Sequence, residues 1–307
     1  MQVEFREKFI AYIDVLGFTD RVRAAEVTCN QALCQILQLL EKLGSVSERD
    51  HFARYGPIIC PAAKYLQKDL DFQFTQISDC AVLSAEVSPA GVINLVDQCS
   101  AAIVRLLDAG AMCRGCVTKG KIYHTSTQVI GSGYVEAHLR EQQVDIFKRE
   151  ADERGTPFVE VAQSVLEFVD NCGDSCVHSM FDRMIRRAGT SAAIYPFKRF
   201  AHTVMLTDAH GRRFDPDQER KSNQTMRLML GRWIAQIRSS VDSGNPRALQ
   251  KVDHYVKALE EQIKGCDALD QTLDELGAPF PGHGRRARIS ELVLQFPGAM
   301  QTHKPPR

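Results

Sequence analysis

FIAYIDVLGFTDRV, residues 9–22, joins a predicted buried strand to a predicted helix. Residues 8–13 form a short apolar run with Ile and Tyr, which is typical of a strand inside a sheet. Asp14 stands at the end of that run, and Gly17 follows just before the helical pattern begins. A carboxylate that ends a buried strand beside a helix start is therefore the first feature to explain.

The composition limits the class of protein. The 307 residues carry 38 basic and 38 acidic side chains, so no net charge would hold the chain on nucleic acid or on an anionic membrane. No apolar run of about 20 residues occurs, which argues against an integral membrane protein. Ten cysteines are spread through apolar and helical patterns without a secretory segment before them. We expect reduced thiols in a cytoplasmic protein.

A second carboxylate stands at a predicted strand end. The stretch DFQFTQISDCAVLS, residues 71–84, has two strand-like halves that meet at Ser78-Asp79. This pattern predicts a tight hairpin with Asp79 at its tip. A helix follows, with Ser88 as its N-cap and an apolar stripe that continues until Gly110.

The rest of the first 150 residues sets the predicted fold class. Residues 112–130 predict two more strands that turn at Lys119-Gly120-Lys121, and GSGYVEAHLREQ, residues 131–142, predicts a helix. The hairpins favour an α+β fold, in which helices pack on one face of a ferredoxin-like antiparallel sheet, over a doubly wound parallel sheet. Two amphipathic helices are predicted over 218–242 and 246–264. The predicted organisation is a domain at 1–205 with its core at 8–145, an irregular insertion around 45–70, a C-terminal helical region at 206–290 and a mobile tail at 291–307.

The two aspartates suggest metal chemistry. Carboxylates at adjacent strand ends would supply oxygen ligands to a hard cation such as Mg²⁺ or Mn²⁺. The backbone N–H groups of Leu16, Gly17 and Phe18, just before a helix, favour an anion such as phosphate. The alternative is that Asp14 caps the helix and Asp79 occupies a hairpin turn.

Four blocks of the chain resemble those of the class III nucleotide cyclases, in the same order. They are FIAYIDVLGFT, QISDCAVLS, RGCVTKGKIYH and GSGYVEAHLREQ, within about residues 8–145. The resemblance implies that Asp14, Asp79 and the backbone carbonyl of Val15 bind two Mn²⁺ or Mg²⁺ ions per active site. It also implies attack of a ribose 3′-hydroxyl on the α-phosphate, which releases pyrophosphate and forms a 3′,5′-cyclic monophosphate.

The last block carries the remaining catalytic positions that the resemblance implies. Alignment places the transition-state arginine at Arg140 and the usual asparagine at Glu136, so one position matches and one departs. Because that arginine reaches the other subunit's metals, we expect a head-to-tail homodimer with composite active sites. Lys119 and Lys121 are the lysines expected to attract the triphosphate. The alternative for Arg140 is a solvated residue on an exposed helix face.

The identity of the base rests on departures from the purine cyclases. Adenylate-specific cyclases read adenine with a lysine and a partner aspartate. In this chain the position of the lysine holds Thr75, and the position of the aspartate falls near Val129. These departures and the insertion resemble the pyrimidine cyclases of the Pycsar antiphage system, which implies UTP as substrate, cyclic UMP as product and a separate effector that binds the product. The candidate base pocket also includes Arg54, Tyr55 and Arg114.

Several alternatives stay open. CTP is the nearest rival substrate, and a purine cyclase comes next. A catalytically silent nucleotide-binding dimerisation module fits the missing asparagine at Glu136. The alternative for Arg114 is an ion pair with an acidic residue on the sheet. The spacing of Cys113 and Cys116 is a weak zinc signal, because residues three apart on a strand face opposite sides.

Overall fold

The computed structural model describes residues 3–28, 30–44, 70–153, 155–197 and 216–277. The predicted insertion around 45–70 and the predicted tail at 291–307 lie almost entirely outside these ranges. The strands are β1 (Arg6–Val15), β2 (Phe72–Ile77), β3 (Cys80–Glu86), β4 (Cys113–His124), β5 (Val129–Ile130), β6 (Val159–Val161), β7 (Ile185–Ala188) and β8 (Ser191–Ile194). The α-helices are α1 (Phe18–Thr28), α2 (Asn30–Leu40), α3 (Pro89–Asp108), α4 (Ser132–Gln142), α5 (Gln163–Asp170), α6 (Ser175–Met184), α7 (Pro216–Ser239) and α8 (Pro246–Gly277).

The first four strands form the predicted ferredoxin-like unit. Their order across the sheet is β2-β3-β1-β4, and each neighbouring pair is antiparallel. The connections through α3 and through the β2–β3 hairpin produce this order, as in a split βαβ arrangement. The predicted α+β class is therefore confirmed.

Helices cover both faces of this sheet, and not one face as predicted. The reason lies in β1, whose residues are apolar on both sides of the pleat. Phe9 and Ile13 belong to the main core with α3, whereas Ile10 and Tyr12 belong to a smaller core with α4. Each such side chain stabilises the fold by about 1.5–3 kcal/mol when it is fully buried. β1 is thus the central strand, and Asp14 lies on its α4 side because side chains alternate between faces.

The turn predicted at Lys119-Gly120-Lys121 is wrong. β4 continues without a break and pairs with β1 from Ile122, opposite Arg6, to Cys113, opposite Val15. The glycine serves close packing, since a Cβ at Gly120 would lie 2.8 Å from the Cα of Gly133 on α4. Glycine therefore marks the point where helix and strand backbones touch.

The sheet extends beyond β4 through short strands. β6 pairs with β4 in parallel, and β8 and β7 follow in antiparallel fashion, so the whole sheet is mixed. The apolar pattern of residues 156–169 predicts a single capped helix, but residues 159–161 form β6 and the helix α5 begins only at Gln163. The hydrogen bond from Gly115 N–H to the Phe158 carbonyl holds the start of β6 beside β4.

The two C-terminal helices pack against the α+β unit. Trp233 on α7 donates its indole N–H to Asp108 at the end of α3, at 2.8 Å. Tyr255 on α8 is fully buried, and its hydroxyl lies 3.5 Å from the Cys113 carbonyl at the start of β4. α8 therefore lies against the same end of the sheet as Asp14, which pairs with Arg114 next to Cys113.

One helix in the described part of the chain, α3, is long and apolar enough to cross a membrane. However, 72% of its most apolar stretch is buried inside the fold. Its residues Val92, Val96 and Ile103 form part of the main core. α3 is therefore a core helix of this fold.

Candidate functional site

Asp14 and Asp79 lie at the ends of neighbouring strands. Asp14 pairs with Cys80 in the antiparallel β1–β3 ladder, and the Val15 N–H donates to the Asp79 carbonyl at 3.1 Å. Ser78 adopts a positive φ of 54°, which lets the two-residue turn reverse the chain beside β1. The tight hairpin thus brings the second carboxylate to the first, although the two are far apart in sequence.

The Asp14 carboxylate is partly buried and lacks compensation by hydrogen bonds. In the part of the chain that the structure describes, no N–H or O–H donates to it, so the alternative of a helix cap is wrong. Burial, together with the negative charges of Glu141 and Asp79, raises the pKa of Asp14 to about 7, although Arg114 and Lys251 oppose the rise. A group in this state gains from any cation that enters the site.

Glu141 is a site residue that the sequence analysis missed. Its carboxylate, only 4% exposed, accepts from Arg114 Nε at 2.6 Å and from Arg114 Nη2 at 2.5 Å. This ion pair joins α4 to the first residues of β4, directly beside Asp14. The alternative interpretation of Arg114 is thus right about the ion pair and wrong about its partner, because Glu141 lies on α4 and not on the sheet. The arginine is engaged by a carboxylate rather than free to read a base.

Lys251 on α8 is the second residue that the sequence gave no reason to choose. Burial lowers the pKa of Lys251, and the neighbouring Arg114 lowers it further, while Glu141 and Asp14 oppose this. Gly155 leaves room for the arginine, because a Cβ there would lie 2.7 Å from Arg114 Nη1. Two cations and three carboxylates thus meet at one edge of the sheet, with chain segments more than a hundred residues apart.

The backbone at Leu16, Gly17 and Phe18, where an anion site is predicted, turns from β1 into α1. Gly17 has a positive φ of 74°, and α1 begins at Phe18, so the chain turns sharply from β1 into the helix start. The Leu16 N–H, however, donates to the Met112 carbonyl at 2.9 Å. The prediction that Leu16 binds phosphate through this N–H is therefore wrong in this conformation, and Gly17 and Phe18 keep the predicted position.

Arg140 and Glu136 lie on α4 at some distance from Asp14. Glu136 accepts from Thr118 at 3.0 Å and from Arg140 Nε at 2.9 Å. Thr118 pairs with Ile10, four residues before Asp14, which corresponds to about 13 Å along β1. The side chain of Arg140 is 43% exposed. Arg140 Nη1 also lies 3.8 Å from Glu160 Oε1 on β6, so the carboxylates that Arg140 contacts in its own chain are Glu136 and Glu160.

The other predicted site residues do not join the carboxylates within one chain. Lys119 and Lys121 pair with Phe9 and Glu7, about 17 and 24 Å along the strand from Arg114. Within one chain these lysines thus lie far from Asp14 along the strand, and their contact with the triphosphate stays a prediction.

Thr75 has a structural position. It is buried, donates to the Thr125 carbonyl at 2.9 Å and lies 3.0 Å from His124 Nε2. Its hydroxyl is thus already used inside the sheet, and its predicted contact with the base has no support. Arg54 and Tyr55, the other candidates for the base pocket, lie outside the described residues.

The donor set at Asp14 fits a hard divalent cation that keeps open positions. Mg²⁺ is commonly bound through one or two carboxylates and completes its shell with water and substrate phosphate. Among the described residues there is no group of three His, Cys, Asp or Glu side chains placed to hold a metal by themselves. Asp14 and Asp79 therefore fit an ion that arrives with a phosphate ligand rather than a closed structural site.

Comparisons with known proteins return few matches. No protein-family model matches the chain, and no curated protein does. Among solved structures, the chain is similar to a class III adenylyl cyclase-like ATP-binding protein from Pseudomonas aeruginosa, with 12% sequence identity and a TM-score of 0.34. The match covers 53% of this chain and 35% of that protein, so the chain spans about a third of its length.

Proposed function

We propose that this protein is a pyrimidine nucleotide cyclase that converts UTP to 3′,5′-cyclic UMP and pyrophosphate as a second messenger in antiphage defence. One observation carries the cyclase part: Asp14 and Asp79 lie on adjacent strand ends, with no hydrogen-bond donor to Asp14 among the described residues. The proposal of UTP rests on the resemblance of the sequence blocks and on Thr75 in place of a purine-reading lysine.

Asp14, Asp79 and the Val15 carbonyl would hold Mn²⁺ or Mg²⁺, two ions per active site. The ions would neutralise triphosphate charge and promote ionisation of the 3′-hydroxyl. Other residues of the chain position these ligands. The Arg114–Glu141 pair holds the start of β4 against α4. Gly17 turns the chain so that the first turn of α1 faces the same end of the sheet. The positive end of that helix favours an anionic ligand.

The exposed side of α4 supports a homodimer with composite sites. Arg140 pairs with Glu136 and with Glu160 on β6 rather than with its own Asp14, and the same helix exposes Val135 and Leu139, each 51% exposed. A helix that exposes both an arginine and large apolar side chains suits a subunit interface. In the proposed dimer, Arg140 of each chain serves the carboxylates of its partner. A separate effector protein would bind the product.

Product analysis tests the proposed reaction. The purified protein is incubated with Mn²⁺ or Mg²⁺ and with UTP, CTP, ATP or GTP in turn, and cyclic nucleotides are identified by mass spectrometry. We expect cyclic UMP from UTP, and a loss of about 100-fold or more in Asp14→Asn and Asp79→Asn. Asp152→Asn, an exposed aspartate, is the matched control. Conversion of ATP or GTP alone would exclude the pyrimidine assignment, and conversion of CTP alone would assign the rival product.

Metal binding has a readout that does not depend on activity. Mn²⁺ should raise the thermal unfolding midpoint of the wild-type protein and leave that of Asp14→Asn unchanged, since a ligand that binds only the folded state stabilises it. Equal shifts in both proteins would place the ion elsewhere.

Mixing two inactive variants tests the dimer. In a head-to-tail dimer of Asp14→Asn with Arg140→Ala, one site carries both substitutions and the other carries neither. Random exchange should therefore restore about a quarter of the wild-type activity. Activity that stays absent on mixing, with dimers present by light scattering, would rule out composite sites.

A second candidate is a nucleotide-binding dimerisation module without catalysis. The observation that favours it is Glu136, which binds Arg140 where the resemblance expects a neutral asparagine. This candidate predicts that UTP binds without turnover, and that Glu136→Asn leaves turnover absent. Turnover by the wild-type protein that disappears in Asp14→Asn would exclude it.

A further inference from the structure

A cavity of about 350 Å³ lies beside the outer strands of the sheet, away from the carboxylates. Its volume falls within the range typical of small-molecule sites. Three aromatic rings and three cationic side chains dominate its wall, together with part of α8. The lining residues are Phe147, Arg149, Phe158, Arg186, Tyr195, His254, Lys257, Ala258 and Glu261.

The aromatic rings form an ordered wall rather than a loose apolar surface. Phe147 meets Phe158 edge to face, with ring centroids 5.1 Å apart, and Tyr195 lies 6.3 Å from Phe147. Such faces accept a further planar ring in an offset or edge-on arrangement. A ring of this kind would be held without any conformational change in the wall.

Arg186 is the cation that has no acidic partner in the described part of the chain. Its guanidinium lies 5.2 Å from the centroid of Phe147 and 5.0 Å from that of Tyr195, and Nη1 donates to the Tyr195 hydroxyl at 3.1 Å. A guanidinium has five N–H donors in a rigid fork. Most of these donors remain available for an anion, and the flanking rings fix their orientation.

The three cations around the cavity differ in their acidic partners. Arg149 and Lys257 both form ion pairs with Asp253. Glu261 is the one acidic lining residue, and the carboxylate of Glu153 binds the lining residue His254. Arg186 is the cationic lining residue that forms no ion pair with the described residues. An anionic group of a ligand would therefore be attracted to the Arg186 side of the cavity.

Phe147 adds a backbone feature to the same wall. It adopts a positive φ of 61°, which is rare for a bulky residue and costs free energy that the surroundings must offset. This conformation places the Phe147 ring against Phe158 and Arg186. Strained residues of this kind cluster at ligand sites.

The cavity and the carboxylates are two places along one edge of the sheet. Phe158 precedes β6, Tyr195 follows β8 and Arg186 is the second residue of β7. β8 is the third strand from β1, which corresponds to about 14 Å from Asp14. α8 passes both places, because Lys251 faces Asp14 and Lys257 lines the cavity, about 9 Å farther along the helix.

From these observations we propose a second ligand site, in which the cavity binds a planar aromatic or heteroaromatic ring that carries a carboxylate or phosphate group. The ring packs among Phe147, Phe158 and Tyr195, and the anionic group accepts hydrogen bonds from Arg186. The site does not require metal or the carboxylates Asp14 and Asp79, and it is therefore independent of the proposed cyclase reaction.

Isothermal titration calorimetry of the full chain tests this site in the presence of EDTA. The probes are 2-naphthoate, an aromatic carboxylate, and uridine 5′-monophosphate, a nucleotide, which distinguish the two sources of the anion. We expect at least one probe to bind with one-to-one stoichiometry. Uncharged 2-naphthalenemethanol, or uridine, should bind at least about ten-fold more weakly than its charged counterpart.

Arg186→Gln should weaken the binding about ten-fold or more. The matched control is Arg187→Gln, because Arg187 is the next residue on β7, points to the other face and pairs with Asp170. Lys257→Gln, at a lining residue whose side chain is 55% exposed, should also weaken the binding and repeats the test if Arg186→Gln fails to fold. Binding that is equal in Arg186→Gln and the wild-type protein, or no binding of either probe, would overturn the proposal. Loss of binding in Asp14→Asn would also overturn it, because the probe would then occupy the carboxylate site.

Discussion

Replacing Asp14 with asparagine should stabilise the folded protein while it removes the proposed metal ligand. The reason is that the folded state holds this carboxylate at a pKa of about 7, against an ordinary value of 3.8. The folded chain thus binds the proton more tightly than the unfolded chain between these values. By linkage, the free energy of unfolding falls as pH rises from about 4 to about 7, and the full loss is present above pH 7.

The size of this effect follows from the pKa. A tenfold change in an ionisation equilibrium corresponds to about 1.4 kcal/mol, so the change from 3.8 to about 7 corresponds to about 4 kcal/mol. Asp14 is only partly buried, and water screens part of the repulsion. We therefore expect Asp14→Asn to raise the free energy of unfolding by about 2–4 kcal/mol above pH 7, and by almost nothing near pH 4.

Urea denaturation followed by circular dichroism measures this difference. Wild-type protein and Asp14→Asn are unfolded at about pH 8 and about pH 4 with EDTA present, so that no metal offsets the repulsion. The m-values should agree, because the substitution does not change the surface that unfolding exposes. Asp152→Asn controls for the loss of a carboxylate as such, since Asp152 is exposed and has no ion pair among the described residues.

Two results would refute this reasoning. If Asp14→Asn destabilises the protein at pH 8, the carboxylate makes a favourable contact that the structure does not account for. If it stabilises the protein equally at both pH values, the gain does not come from ionisation. A gain confined to high pH, together with lost turnover, would show that Asp14 is kept for function at the expense of stability.

Two further predictions concern the sheet itself. Gly120→Ala should lower the free energy of unfolding, measured with urea, by about 1–3 kcal/mol, because the new Cβ would lie 2.8 Å from helix backbone. Gly231→Ala is the control and should raise the free energy of unfolding by up to about 1 kcal/mol, because a Cβ there meets no atom within 4 Å. Equal effects of the two substitutions would contradict the close packing at Gly120. Burial lowers the pKa of His124 to about 4, from 6.5, so the unfolded chain binds the proton more readily than the folded chain. The free energy of unfolding should therefore fall by about 3 kcal/mol as pH falls from about 6.5 to 4. This loss should be absent in His124→Gln, measured by urea unfolding at both pH values, and a loss of the same size in the variant would assign the pH dependence to other groups.

Local sequence patterns were sufficient to predict that Asp14 and Asp79 lie at neighbouring strand ends. The apolar run before Asp14 and the two halves around Ser78-Asp79 each predict their strand from residues close in the chain. The ferredoxin-like order of the elements then makes β1 and β3 neighbours, and the two carboxylates follow. The error at Lys119-Gly120-Lys121 has a physical cause: glycine between lysines is typical of a turn, but here it allows a helix to touch the strand.

The sequence by itself determined the strands, the main helices and the pairing of Asp14 with Asp79, because periodicity and turn residues act over a few positions. The tertiary structure alone decided which charges surround that pair. Glu141 binds Arg114 only because α4 lies along β4, and the charge of Lys251 acts on Asp14 only because α8 packs across the same sheet edge. The aromatic cavity with Arg186 likewise draws on four separate segments. Contacts between distant segments depend on how whole elements pack, and no short stretch of sequence contains that information.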